Sequence, residues 1–427
     1  MAAIPHTFTE RNTDVTNSTS TFAAVTSMAQ ASGNFTVGKQ YLIVATAQVG
    51  QSTADVVEIQ LLHGSTVFEG SLGNYVSVVA GNRASWQYMT VWTAVSGEGL
   101  DMQFRRGTGA GGTASVNFAS LLSIQLDDYL TQNTDWYFNE STADQALTTG
   151  STWYDGGTIT FTPGTASQDW LVIAQSAHTR TSTAAAQQSR LNLNAGSEVV
   201  PNMILAMSGS GSIDAEFLPH IYNLPASSTT IKQQSMCTSG AISTRTYSNI
   251  FAMNMSKFAA YMSAYTAADF TYTATAIATP DQLQTGNITP TVTGDVWILA
   301  FHGFDKAVAT YTNQFRVQVD GSDQPAGQTT AAYVFNAGHI TNSAGDEVVT
   351  ALSTMTSLNT SSHTIDLDGA VSSTTSSPSA QQRTLVAVTM ELAATGTITP
   401  TAGTSALTGQ AGRMDYGLLP LTMVRLG

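Results

Sequence analysis

Arg105 and Arg106 open the stretch RRGTGAGGTA (105–114), whose clustered glycines suggest a loop that cradles phosphate. Such loops end in G-K-[ST], so that a lysine and a hydroxyl reach the phosphate oxygens and the metal, and they open a helix. Neither feature follows here, and the stretch reads as a turn between strands. Arg105 and Arg106 are then solvated turn residues or contacts for an acidic neighbouring subunit. His63, His178 and His302 each stand at or near the end of an alternating run, without an H-E-x-x-H spacing or a paired carboxylate. They do not occupy equivalent positions of the repeats, and a metal site is not expected of them. DGSD (320–323) and DLDG (366–369) are similar to fragments of calcium loops but lack the further oxygen ligands such a loop needs, so Asp-Gly turns are expected. Asp320, Asp323, Asp366 and Asp368 are the ligands to look at if a cation were held.

Catalysis finds no better footing. A glycosidase needs two carboxylates facing each other across a cleft, and Asp127 with Asp128, or Asp346 with Glu347, fall in turn-like settings. There is no G-x-S-x-G and no recognisable Cys/His pairing. Cys237 is the one cysteine and reads as a small core residue. Trp86, Tyr88, Trp92, Trp136, Tyr137, Trp153 and Tyr154 cluster in the first half and offer faces for a sugar ring. The period-two spacing of the first three places them in a core or at its edge instead. The expectation is a chain with no catalytic, cofactor-binding or metal-binding residues, hence not an enzyme.

Composition bounds the partners. Charged residues make up 10% of the 427, with a net charge of −14 and four lysines, against a usual charged share of about 25%. So acidic a surface repels nucleic acid and excludes an electrostatic footprint on it. Solubility rests on hydroxyls and amides, which suits a surface covered by neighbours, where each desolvated charge would need a partner. No run approaches the ~18 apolar residues of a membrane span, and MAAIPHTFTERN is not a basic-then-apolar leader. Synthesis in a cytoplasm and no membrane span are expected.

The elements that would position any site repeat. YLIVATAQV (41–49), WLVIAQSAH (170–178) and VWILAFHGF (296–304) align on Ala45, Ala174 and Ala300. Each is followed by an alternating run closing on glycine: EIQLLHG (58–64), SRLNLNAG (189–196) and FRVQVDG (315–321). Period two with a terminal glycine is strand then turn. LDMQF (100–104), TTIKQ (229–233) and HTIDL (363–367) recur in turn, and LLSIQL (121–126), IFAMNM (250–255) and LVAVTM (385–390) close the copies. With further alternating runs between them, each copy holds seven or eight short strands, the signature of a β-sandwich. TAAAQQSRL (183–191) is the best helix candidate. The fold expected is all-β: three tandem jelly-roll-like or Greek-key β-sandwich domains with extended N- and C-terminal segments. The divisions are 1–130 with an N-terminal arm over residues 1–20, 131–262, 263–393, and a linker with an apolar anchor over 394–427.

That last segment ends in YGLLPLTMVRLG. Leu418, Leu419, Leu421, Met423, Val424 and Leu426 would each forgo about 1.5–3 kcal/mol of burial if left in water. They are expected to pack on another subunit or on a larger assembly, with Pro420 restricting the approach.

Tandem Ser/Thr/Ala-rich sandwiches carrying GNFTVGKQYLIVATAQV (33–49) and a returning SLLSIQLDD (120–128) resemble structural proteins of tailed bacteriophage particles. The resemblance implies a virion protein that decorates or cements the capsid surface, assembled in the host cytoplasm as a homotrimer against other virion proteins such as the major capsid protein. A tail fibre or tail-associated part that recognises a host glycan is the alternative, and a glycan depolymerase the third reading.

Overall fold

Alternating polar and apolar residues make strands that bury one face, and a strand buried on both faces reads as a continuous apolar run. Both kinds are present, and their order explains the architecture. The computed structural model describes residues 2–393 apart from 54, 77–82, 108–110, 149–151, 166, 181–185, 195–197, 207–212, 238–242, 307–312, 325–333, 336–345 and 376–378.

Among the described residues the chain forms three sandwiches, each built on eight main strands. In the first, the strands in chain order are His6–Arg11, Ala23–Ala24, Gln40–Gln51, Val56–His63, Gly73–Val76, Arg83–Thr93, Leu100–Arg106 and Ala114–Gln125. One sheet runs first–eighth–third–sixth and the other second–seventh–fourth–fifth, each antiparallel. The second sandwich repeats this with Trp136–Ser141, Tyr154–Phe161, Gln168–Arg180, Ala186–Leu193, Glu198–Ala206, Ile213–Leu224, Thr229–Cys237 and Ser243–Asn254. The third repeats it with Tyr261–Thr266, Asp281–Ile288, Gly294–Lys306, Asn313–Val319, Ser322–Gln324, Asp346–Leu358, His363–Val371 and Ser379–Thr389. This eight-strand order is that of a jelly roll, two Greek keys folded into two sheets. Registers repeat along with topology: Ala45 lies opposite Leu121, Ala174 opposite Ile250 and Ala300 opposite Leu385. In each copy the first strand breaks and resumes along the eighth, at Val15–Asn17, Gln145–Leu147 and Phe270–Thr271. Asp14, Asp144 and Asp269 close the three breaks.

The two sheets of a sandwich differ in what they bury. Leu100–Arg106 alternates buried and half-buried residues, as a strand with one face toward water does. Gln40–Gln51 is buried at every position after the first. Its odd-numbered residues Tyr41, Ile43, Ala45, Ala47 and Val49 fill the first sandwich's own core. Leu42 and Val44, on the opposite face, join a second core. That second core also takes Leu171 and Ile173 from the equivalent strand of the second sandwich, and Trp297, Leu299 and Phe301 from that of the third. Val296, Ile298 and Ala300 meanwhile face the third sandwich's own interior. The three first–eighth–third–sixth sheets are therefore inner sheets of a common junction, and the other three are outer sheets.

The sandwiches close in a cycle. The sixth strand of the second pairs with the fifth of the first at Ile213 and Asn74, making a ten-stranded sheet. The sixth strand of the third pairs in parallel with the fifth of the second at Leu205 and Glu347, making a nine-stranded sheet. The sixth strand of the first touches Val334–Phe335 of the third, and the three sixth strands touch one another pairwise. A head-to-tail contact that returns to its start makes a ring rather than a filament.

Three expectations change. The helix candidate over 183–191 is a strand from Ala186 onward, because its Gln and Ser residues pair on both sides, with Ile204 and Met203 and with Met236 and Ser235. Position 262 lies inside the first strand of the third sandwich, Tyr261–Thr266, so it cannot divide two units. Within the N-terminal arm expected over 1–20, residues 2–20 are extended but do not stand apart. His6–Arg11 edges the first inner sheet, and the amide of Ile4 donates to Met390 O at 2.8 Å while that of Leu392 donates to Ala2 O at 2.9 Å. The anchor over 394–427 lies outside the described residues.

If the junction is a core, a residue on its side of an inner sheet must matter as much as one inside a sandwich. Leu299→Ala and Ile298→Ala should each cost about 2–5 kcal/mol in denaturant unfolding. A loss below about 0.5 kcal/mol for Leu299→Ala alone would mean that this face meets water.

Candidate functional site

Among the described residues, most of the histidines, acids and arginines picked out in the sequence are held by partners within the fold. His302 is fully buried, with Nε2 2.9 Å from Tyr272 OH and 3.1 Å from Asn313 Nδ2, and Nδ1 3.2 Å from Thr350 Oγ1. Burial, aided by the charge of Arg383, depresses its pKa to about 3, so the ring is neutral. His178 is buried 2.9 Å from Ser176 Oγ. His63 lies 2.6 Å from Glu98 Oε2 with its ring against Phe68. His178 and His302 are thus core residues, and His63 sits at a rim.

The acidic segments come together without forming a cation cage. Arg316 extends from the outer sheet of the third sandwich, 3.2 Å from Asp323 and 3.2 Å from Asp368, and its guanidinium takes the place a cation would occupy between them. Asp320 holds His363 at 2.7 Å, and Asp366 accepts from Gln282 at 2.8 Å. Among the described residues no group of three or more His, Cys, Asp or Glu is arranged to hold a metal. Arg105 is likewise satisfied inside the chain, with Glu58 Oε2 2.6 Å from Nε and the guanidinium 4.3 Å above the Phe22 ring. It is neither a solvated turn residue nor free for a neighbour. Arg106 donates to Gly112 O at 3.3 Å.

The aromatics divide. Trp86, Tyr88, Trp92 and Trp136 are buried, and Trp86 donates from Nε1 to Ser71 O at 2.9 Å. Tyr137 stacks on Phe161 at 4.4 Å, and Tyr154 shares a hydrogen bond with Thr148 at 2.7 Å. Trp153, at the edge of the second outer sheet, is half-buried under the Arg190 guanidinium, 4.0 Å from the ring. Cys237 is buried beside Leu147. Val37, Val67 and Val95 are the large apolar side chains exposed among the described residues.

What the sequence did not single out are the polar residues that lock the junction. Gln175 and Asn249 interrupt apolar runs on the second inner sheet and are fully buried. Gln175 Oε1 accepts the Met89 amide and Asn249 Nδ2 donates to the Met89 carbonyl, each at 2.6 Å. They thereby satisfy the backbone of an edge strand that ends its sheet inside protein. A buried amide inside an apolar run was the available signal. Gly70, at φ +71°, lets Tyr247 of the second sandwich approach, since a Cβ there would lie 2.2 Å from the ring. The seam between the first and third sandwiches carries charge. His6 lies 3.1 Å from Asp295, and Thr354 Oγ1 donates to Glu10 at 2.9 Å. At the seam of the second and third, His220 sits edge-on between the Tyr222 and Tyr265 rings, 4.5 and 4.6 Å away. These polar contacts hold the three sandwiches in register with one another.

No known family model matches the chain, and no curated protein sequence matches it. Among solved structures it is similar to an archaeal virus protein described by its triple jelly roll fold and turret assembly. There the identity is 9%, with 89% of this chain and 83% of that one covered, at a TM-score of 0.20. A second is the STIV MCP, at 10% identity, 60% and 96% coverage and a TM-score of 0.23. A third is peptide: N-glycanase F, at 12%, 60% and 96% and a TM-score of 0.29. Likenesses at these scores carry no argument, and the jelly-roll assignment rests on the strand order of this chain. No helix among the described residues is long and apolar enough to cross a membrane.

The seam is titratable. Withdrawal from water pushes the Glu10 carboxyl from 4.5 up to about 7, against the opposite pull of the Thr354 hydroxyl. A carboxyl whose pKa is higher folded than unfolded contributes stability that is complete below about 4.5 and lost as the pH rises through about 7. Wild type should therefore lose about 1–3 kcal/mol relative to Glu10→Gln between pH 5 and pH 8. Parallel pH profiles of the two proteins would show Glu10 ionised in the fold.

Proposed function

We propose that the chain is a non-enzymatic structural protein of a virus particle that decorates or cements the capsid surface. The observation that carries this reading is the closed ring of three jelly rolls in one polypeptide, in which the histidines, acids and arginines that could do chemistry serve the fold. Such a ring is a rigid body that offers related faces several times, so weak contacts gain from effective concentration. The terminal run from Leu418 to Leu426 supplies the apolar means of attachment. The partners proposed are other virion proteins, the major capsid protein first, and further copies of the chain in a homotrimer, with assembly in the host cytoplasm. The alternative, a tail-associated protein that recognises a host glycan, draws support from the exposed edge of the second sandwich around Trp153.

Copy number separates the two readings. Quantitative mass spectrometry of purified particles should find tens to hundreds of copies of a decorating protein, and only a few of an adsorption fibre. Deleting residues 413–427 should leave the sandwiches folded, with an unchanged thermal transition, and abolish incorporation or trimer formation. A truncated chain incorporated at the wild-type level removes the anchor role.

A further inference from the structure

Among the described residues the exposed large apolar side chains all lie at one end of the first sandwich. Val37, Val67 and Val95, at 60%, 41% and 48% exposure, come from three connections: second to third strand, fourth to fifth, and sixth to seventh. The pairing of Gln40 with Thr93 and of His63 with Leu100 brings those connections to the same end. The turns there are fixed. Gly38 donates to Ala94 O at 2.8 Å and Gly64 to Gly99 O at 2.9 Å, and the rings of Phe35, Trp92, Phe68 and His63 form one cluster within that end. In the second and third sandwiches the sixth-to-seventh connection reads PASS (225–228) and NTSS (359–362). The fold itself therefore does not require the apolar side chain that the first sandwich shows at Val95.

The chain leaves the described fold at this same end. Leu392 donates to Ala2 O and Ala393 to Lys257 O, while Gln125 donates to Pro5 O and Leu126 to Gln40 O. Val37 is three residues from Gln40. Residues 394–412 then precede Arg413, and a stretch of that length spans at most about 60 Å. The run that follows, from Leu418 to Leu426, needs apolar cover. Its sign fits as well. The charged side chains of 413–427 are Arg413, Asp415 and Arg425, whereas Glu69, Glu98, Asp127 and Asp128 lie along the connections at the valine end, and Asp128 already holds Lys39 at 2.6 Å.

The size of the target decides between occupants. Separate proteins in a stable complex bury roughly 800 Å² each, far more than three half-exposed valines offer. A tethered segment meets them at millimolar effective concentration and is held by weak contacts. We propose that residues 418–426 dock on the Val37, Val67 and Val95 end of the first sandwich of their own chain before assembly, and leave it for the particle. The contact keeps an attachment segment covered until a larger apolar surface displaces it, and it rests on the attachment role proposed for that run.

The test uses the full chain. Trypsin should cut after Arg425 about tenfold faster in the Val37→Ser/Val67→Ser/Val95→Ser protein than in wild type, because a docked site is cut only from its undocked population. The melting temperature should be unchanged, since the three side chains already face water. Leu419→p-benzoylphenylalanine, irradiated in dilute solution, should crosslink to 35–39, 66–69 or 94–98 within a single chain, and the yield should fall in the triple-serine background. Equal cleavage rates without such crosslinks would overturn the docking. Crosslinks that join two chains, in a yield that rises with concentration, would assign the valine end to a second copy and overturn it too. The attachment role fails separately, when a chain lacking 413–427 is still incorporated into particles.

Discussion

Everything in this molecule depends on burying the second face of the inner sheets. A sandwich needs only one face of each sheet for its own core, and the other ordinarily meets water. Here the outward faces of three inner sheets carry Leu42 and Val44, Leu171 and Ile173, and Trp297, Leu299 and Phe301, all at 1% exposure or less. At about 25 cal/mol per Å² of apolar area, leaving three such faces in water would offset much of what a single sandwich gains by folding. The copies are therefore committed to one another.

The commitment sets where polar groups can go. Sheet edges that end inside protein must find partners, and Gln175 with Asn249 supply them to the backbone at Met89. The seam between the first and third sandwiches is closed partly by ionisable groups, which links ring closure to pH through Glu10. His220 and His302 work in the opposite sense. Burial holds both pKa values near 3, so their contribution is present above about 6.5 and declines as the pH falls.

The outer sheets are freed from such duties, and the copies diverge there. The cross-strand pairs of Glu58 with Arg105, Arg190 with Gln234, and Arg316 with Asp368 show the pattern: a common strand framework, closed by an internal carboxylate twice and by an amide once. Divergence on a solvent face costs little stability, so it is where duplicated units can acquire separate roles.

The sequence alone determined the strands and their threefold repetition, because the two-residue period and the glycine-closed turns are local properties of the chain. The anchors at Ala45, Ala174 and Ala300 occupy matching rungs, and Trp86 falls in the interior as its period-two spacing implied. The continuous apolar character of the same three strands was also legible, but a run buried on both faces does not say against what it is buried. Tertiary structure decided that the partner is the other two copies. It likewise decided that Arg105 turns to Glu58 rather than to a neighbour, and that Ala186–Leu193 is a strand. It brought the turns of Val37 and Val95 together at the end where Leu392 meets Ala2. Each of these turns on residues 40 or more positions apart meeting across a sheet, or on a strand held between two others. Long-range pairing of that kind leaves no local pattern in the chain.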